Sequence, residues 1–351
     1  MLPENSIFNL KKIFLILGTA CNFNCIYCIE HENKPRCKKV LHPDVIAWLD
    51  DLSYKLPEVI KPTIHFYGGE PLLYKEAIHQ VIDQFGDKFR YLIVSNGAYL
   101  DDKDVEYFNE HGVAFVLSND GAETSFTRQV DMLKDASFVE RFNRLKDRAV
   151  DAVWCAVNQD LYQVYDYVQA VSPGTKVWHE ELIPTEDTDE RLTKMDEAVL
   201  LKSFKRMGEE FESTKESYGS REFGRWLKEA LGKLKQPAFG NFPNCGSGQR
   251  NLSIDTEGNV YLCKNFNEKI GTIKDSYEVL NARAKDKIKA LRDANLEGKG
   301  CFDCPAFYFC RGGCPFEKPS ERQKEKCVLI RTKWQSVVSF IDNKLTIEVK
   351  K

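Results

Sequence analysis

The chain has 351 residues, enough for two domains and a substantial core. Its 50 Lys+Arg against 53 Asp+Glu leave no cationic excess, which removes the electrostatic footprint of a nucleic-acid track. No apolar run reaches the ~18 residues of a membrane span and no credible targeting segment is present, so a cytoplasmic protein with no nucleic-acid or membrane partner is expected.

Twelve cysteines are many for such a chain, and ten of them fall in two groups, at 21–28 and 245–327. Disulfide scaffolds are usually small secreted domains, so thiols grouped in this way read as metal sites in a reducing compartment. Cys37 and Cys155 stand apart. Cys155, in a buried strand, reads as a core residue, and Cys37 as a surface thiol.

Lys11–Leu17 reads as a first strand that runs into Cys21-Asn22-Phe23-Asn24-Cys25-Ile26-Tyr27-Cys28. Pro43 to about Tyr54 is helical, with Val45, Ile46 and Leu49 on one face and Pro43 suited to a first turn. Thr63–Tyr67 is a strand ending in Gly68-Gly69-Glu70-Pro71, and Lys75–Phe85 a helix. Tyr91–Val94 is a strand ending in Ser95-Asn96-Gly97, and Asp101–Glu110 a helix stopped by Gly112. Val113–Leu117 ends in Ser118-Asn119-Asp120-Gly121, with a helix following around Ser137–Lys146. Asp151–Val157 is a strand, Leu161–Val171 a helix and Lys176–Ile183 a sixth strand, stopped by Pro184.

Strand and helix alternate throughout, and each strand is short and apolar, as expected when both faces are covered. The fold expected is α/β: a partial (β/α)6 TIM-like barrel over 1–185, followed by a small cysteine-rich domain with a β-hairpin. Ligands of parallel sheets gather at the carboxyl ends of the strands. The cysteine loop, the Gly-Gly-Glu-Pro turn, Ser95-Asn96, Ser118–Asp120 and Asn158 should therefore face one another across one mouth. His179, Glu180 and Glu181 lie near the sixth strand's end, and alternation turns at least one of them inward. A charged helical bridge fills 186–240, the cysteine-rich domain 241–330 and a C-terminal helix 331–351. In the cysteine-rich domain Leu252–Leu262 reads as a hairpin that delivers Cys263 beside its start.

The C-x3-C-x2-C loop offers three thiolates, one fewer than an iron–sulfur cluster normally takes. One iron would then be free to bind a substrate or cofactor. A zinc site wants a closed set of four ligands, and His31 is the nearest addition, at an unusual spacing. A lipoprotein signal is the other alternative, from Lys11-Lys12 to Gly18-Thr19-Ala20-Cys21, but its apolar run is short.

The loop, with Tyr27 before the last cysteine, resembles the signature of radical S-adenosylmethionine (SAM) enzymes. The resemblance implies that Cys21, Cys25 and Cys28 hold a 4Fe-4S cluster whose open iron binds SAM. A 5′-deoxyadenosyl radical then abstracts hydrogen from a substrate. It also implies that Tyr27 flanks the adenine and that Gly68, Gly69, Glu70 and Pro71 serve the methionine end. Ser95 and Asn96 would serve the ribose, and Ser118 and Arg128 are carboxylate candidates. Arg128 could equally form a surface salt bridge, and Asp120 reads either as a catalytic substrate contact or as a turn residue.

The later cysteines resemble the SPASM extension of radical SAM enzymes that modify peptides and proteins. By that resemblance Cys245, Cys263 and Cys314 hold one auxiliary cluster, and Cys301, Cys304, Cys310 and Cys327 a second, for three 4Fe-4S clusters in all. An eighth cysteine found in some members is missing, which would leave an open iron or a fourth ligand of another kind. Two zinc knuckles are the alternative, but seven thiols do not close two four-ligand sites.

The function expected is that of a peptide maturase forming a thioether or carbon–carbon crosslink, or another oxidative side-chain change. A formylglycine-forming sulfatase maturase and a small-molecule dehydrogenase are alternatives. The sulfatase maturases typically carry an acid directly after the cysteine of the Gly-x4-Cys unit, where this chain has Lys264. A non-enzymatic iron–sulfur carrier would not need the Gly-Gly-Glu-Pro turn. Expected partners are a peptide or protein substrate, a flavodoxin- or ferredoxin-type electron donor and a separate leader-binding protein, since only twenty residues precede Cys21.

Overall fold

A computed structural model describes residues 7–29, 40–57, 59–235, 246–248 and 250–349. Cys37 and Cys245 lie outside the described residues.

Six parallel strands form one flank of a sheet. They are β1 (Lys12–Gly18), β2 (Thr63–Gly68), β3 (Arg90–Ser95), β4 (Val113–Ser118), β5 (Arg148–Trp154) and β6 (Lys176–Glu181), hydrogen-bonded in sequence order. Helices Pro43–Lys55, Lys75–Phe85, Asp102–Glu110, Ala136–Arg144 and Leu161–Val171 link them. The strands carry apolar side chains on both faces because the helices cover the outside: Ile13, Ile64, Phe66, Ile93, Phe115 and Val150 are all fully buried. This is the parallel α/β arrangement expected of the sequence, with its largest shift at β5. β5 ends at Trp154, three residues before the expected Val157, because Asn158 folds back on it and so is buried there instead of facing the mouth. Asn158 Oδ1 accepts from Cys155 N–H (2.9 Å) and Nδ2 donates to the Val153 carbonyl (3.0 Å). Cys155 is fully buried beside Leu182 and Leu192, as a core residue should be.

The sheet does not stop at β1. β7 (Asn251–Asp255) pairs parallel with β1, from Lys12↔Asn251 to Ile16↔Asp255. β8 (Asn259–Cys263) and β9 (Phe266–Thr272) then add antiparallel strands. The hairpin expected from alternation is present, but it is stitched into one nine-stranded sheet with β1 inside it. Neither β9 nor the helix Tyr277–Leu296 was expected from the sequence. The charged bridge forms the helix pair Glu197–Ser213 and Tyr218–Leu234. The last helix is Glu321–Val349, starting at Glu321 rather than at 331, and Cys327 lies in its first two turns.

The sheet curls. Lys264, just past β8, reaches Glu180 on β6 at 3.2 Å, although six strands stand between β6 and β8 in the sheet. Its two flanks therefore meet across the carboxyl ends of the parallel strands.

Candidate active site

The cysteine loop leaves β1 and is pinned at its base by the turn after β2. Gly69 N–H donates to the Gly18 carbonyl (2.9 Å) and Glu70 N–H to the Ala20 carbonyl (2.8 Å). Both contacts demand glycine. A Cβ on Gly68, at φ +147°, would stand 2.2 Å from the Gly18 oxygen, and one on Gly69 2.2 Å from the Ala20 oxygen. The two glycines thus let one backbone lie against another, the cysteine loop's own. Further along, Ile26 N–H donates to the Thr127 carbonyl (2.9 Å), which ties the loop to the segment after β4.

Glu70 is almost fully buried behind this turn. It accepts from Ser95 Oγ (2.7 Å), Asn96 N–H (2.8 Å) and Leu72 N–H (2.9 Å). Burial pushes its carboxyl upward, while these donors, Asn96 first, pull it back. Pro71 opens the short 3-10 turn Pro71–Tyr74 and is buried. Asn96 faces the loop, donating through Nδ2 to Asn22 Oδ1 (2.8 Å).

Asp120 is the hub of the opposite wall. It is fully buried and accepts from Tyr27 OH (2.5 Å), Thr127 Oγ1 (2.6 Å), Arg128 Nε (3.0 Å) and Val153 N–H (2.9 Å). The Arg128 guanidinium also lies 5.3 Å from the centre of the Tyr27 ring. Of the two readings of Asp120, the structure places it behind the wall as an anchor, with no exposed surface for a substrate. Arg128 is 8% exposed, so its pair with Asp120 is a buried one and not the surface salt bridge considered above.

These walls enclose a cavity of about 470 Å³. Cys21, Cys25 and Cys28 open into it together with Tyr27, Gly68, Gly69, Glu70, Asn96, Ser118 and Arg128. Ser95, Pro71 and Asp120 are not on its surface and act through Glu70, the turn and Tyr27. Burial raises the Cys25 thiol to about 11, against the pull of Arg128. A thiol held neutral in this way becomes a ligand when a soft metal centre supplies the positive charge.

Three further residues line the mouth: Asp151 on β5 and Lys264, which had little signal in the sequence, and Glu180 on β6, one of the three that alternation could turn inward. An acid inside the apolar run Arg148–Trp154 was the only hint of the first. Lys264 Nζ pairs with Glu180 (3.2 Å) and stands 4.7 Å over the Tyr67 ring. Behind this pair lies a second cavity of about 540 Å³, lined by Cys263, Cys301, Cys304, Cys310, Cys314 and Cys327. Glu180 and Lys264 line both cavities and so form the partition between them. His179 and Glu181 face the second cavity, and burial pushes His179 down to about 3. The Arg311-Gly312-Gly313 turn is wound through three successive positive φ angles. Lys299 Nζ holds that loop by donating to the carbonyls of Gly312 (3.1 Å) and Cys314 (2.9 Å), and it shares Glu317 with Lys326. Burial raises Cys310 and Cys314 to about 12.

The family description "Radical SAM superfamily" matches residues 15–158, which span the cysteine loop and the first five strands. Residues 15–158 therefore carry a radical SAM domain. Membership implies SAM and a 4Fe-4S cluster, and the donor set fits both: three soft thiols on one wall, facing polar groups on the other. Among the relatives of this chain is the radical SAM cyclopropyl synthase TigE of Paramaledivibacter caminithermalis. It is 21% identical over 342 residues, covering 87% of this chain and 68% of that protein. In structure it is similar to anSMEcpe with bound AdoMet and Cp18Cys peptide, at TM-score 0.70 and 18% identity, over 96% of this chain and 99% of that one. It is also similar to SuiB of Streptococcus suis bound to precursor peptide SuiA, at TM-score 0.60 and 14% identity, over 92% of this chain and 77% of that one. These two likenesses establish the fold: a radical SAM barrel carrying a cysteine-rich C-terminal region.

Proposed function

We propose that this radical SAM enzyme is a maturase that modifies a ribosomally made peptide, forming a thioether, a carbon–carbon bond or another oxidised side chain. The observation that carries the reading is the shared partition: a cavity lined by six thiols adjoins the mouth, and Lys264 and Glu180 line both. A reaction that must dispose of an electron after hydrogen abstraction has use for such a neighbour. The relatives named for peptide complexes lend the substrate class.

In this reading Cys21, Cys25 and Cys28 hold the cluster that binds SAM. When bound, cluster and SAM supply a reducing electron and a hydrogen-abstracting 5′-deoxyadenosyl radical. Tyr27 would flank the adenine, held by Asp120; Asn96 and Ser118 would orient the ribose and carboxylate. Glu70, fixed by three donors, sets the edge of the methionine pocket. The cavity walls exclude water. Cys245, Cys263 and Cys314 would hold one auxiliary cluster, and Cys301, Cys304, Cys310 and Cys327 the other. A flavodoxin- or ferredoxin-type protein would deliver the electron, and a separate protein would grip a leader peptide. Lys264 weakens the formylglycine reading, because a lysine engaged with Glu180 stands where those maturases typically carry an acid.

The test is anaerobic. The reconstituted protein is reduced, given SAM and the short cysteine-containing peptides encoded near its gene, and assayed for 5′-deoxyadenosine and for peptides lighter by two hydrogens. Formation of 5′-deoxyadenosine with every peptide unchanged, but with a free small molecule oxidised, would remove the peptide reading.

A further inference from the structure

Four acids stand at or just behind the mouth, and three of them are committed. Asp120 is paired with Arg128, Glu180 with Lys264, and Glu70 is held by three donors. Asp151 is different. Its Oδ1 is buried, accepts no hydrogen bond and belongs to a side chain on the cavity wall with the three loop cysteines. Among the described residues it makes no ion pair. Its place is fixed by the strands: Asp151 is registered against Ser118 on β4 and Trp178 on β6, so it stands on a rigid wall and not on a loop.

A buried carboxylate with no donor is costly, and such a group persists where it has work to do. Resting on the maturase reading above, we propose that Asp151 is a catalytic proton acceptor of the mouth, taking the proton that the substrate loses when its radical is converted to product. The balance is simple. A substrate carbon radical attacks a side-chain X–H group, a C–X bond forms and the X–H bond breaks. The proton passes to the Asp151 carboxylate on the cavity wall, and one electron passes to an oxidised iron–sulfur cluster that the cysteines of the C-terminal region would hold.

The surroundings suit the task. Burial, then Glu180 from β6, push Asp151 up to about 7. Lys264 from beyond β8 and Arg128 from the segment after β4 pull against that rise, and Asp120 adds to it. Tyr67 on β2 and Ser118 on β4 are the neutral groups on the same wall; burial raises the Tyr67 phenol far above neutrality. A base serves best when it titrates near the working pH.

The full-length reconstituted protein and its Asp151→Asn variant decide the matter, with SAM and a panel of synthetic cysteine-containing peptides as probes. First, infrared difference spectra are taken between about pH 5 and about pH 9 without peptide, a range that brackets any carboxyl titrating near neutrality. The wild type should show a protonated-carboxyl band that the variant lacks; the same band in both overturns the proposal. Should the Asn variant not fold, Asp151→Glu replaces it, and a band unmoved in position and midpoint is the overturning result. Second, SAM cleavage without peptide is measured in both proteins, so that product can be read per 5′-deoxyadenosine formed. Its absence from both would sink the enzyme reading and leave the infrared result to judge Asp151. Third, for any peptide that the wild type converts, product per 5′-deoxyadenosine should fall at least about a hundredfold in the Asn variant. A ratio within about threefold of the wild type overturns the proposal.

Discussion

Replacing Asp120 by alanine tests the wall opposite the cysteine loop. The change removes the carboxylate from a fully buried position and leaves the Arg128 guanidinium, itself 8% exposed, without its counter-charge. Breaking one side of a buried ion pair costs about 3–5 kcal/mol, because the remaining charge stays desolvated. Tyr27 OH, Thr127 Oγ1 and Val153 N–H also lose their acceptor, each a loss of about 1–3 kcal/mol where water does not reach. These contributions overlap, so the expected total is about 4 kcal/mol or more. Urea unfolding under anaerobic conditions, followed by circular dichroism, measures it. The double variant Asp120→Ala/Arg128→Leu removes both charges and should be more stable than the sum of the single losses predicts, with a coupling of about 2 kcal/mol or more. If Asp120→Ala costs under about 1 kcal/mol, or if the two changes simply add, the hub does not work as described. SAM cleavage should fall with stability intact in Tyr27→Phe, which frees the ring from Asp120 without touching the ion pair.

Gly69→Ala puts a methyl group 2.2 Å from the Ala20 carbonyl oxygen and should displace the cysteine loop. Iron bound at that loop should be lost while C-terminal iron is retained, which iron analysis against a Cys21→Ala/Cys25→Ala/Cys28→Ala control can show. Asp151, raised from 3.8 to about 7 in the folded chain, holds an extra proton there between those values. Its contribution is therefore lost as pH rises through that window, and the whole cost is present above it. Asp151→Asn should melt higher than wild type near pH 8 and much closer to it near pH 5; a gap independent of pH would contradict this. Glu317→Gln leaves Lys299 and Lys326, with side chains 2% and 5% exposed, without a counter-charge and should cost about 3–5 kcal/mol. An unchanged melting temperature would show that the two lysines find other partners.

Local pattern carried far in this chain. Short continuous apolar runs and helical spacing located all six parallel strands, and two helices, Lys75–Phe85 and Leu161–Val171, have the expected ends. The cysteine loop, the Gly-Gly-Glu-Pro turn and Asn96 meet in one cavity because strand polarity puts their loops on one rim. What escaped was long-range. Nothing in Leu252–Asp255 says that it pairs with a strand some 240 positions earlier, and the register between Lys12 and Asn251 is a property of the folded sheet. Lys264 and Glu180 are 84 residues apart, so their pairing across the mouth was equally hidden. Asp120 looked like a turn residue because its neighbours Asn119 and Gly121 are; its burial depends on Arg128, Tyr27 and Val153 arriving from three other segments. β9 has little apolar content, with Phe266, Asn267, Glu268 and Lys269 at its start, and an edge strand with one solvated face gives a weak signal.

β1 has β2 on one side and β7 on the other. It is therefore a party wall, hydrogen-bonded on both edges by strands from the two halves of the chain, and the cysteine loop is its continuation. A truncated protein ending before β7 would bare the N–H and C=O groups of Lys12–Ile16 along a strand that is otherwise apolar, and such an edge recruits other chains. The same wall joins the halves mechanically. A shift of the C-terminal strands cannot stay local, because it moves the strand from which Cys21 hangs.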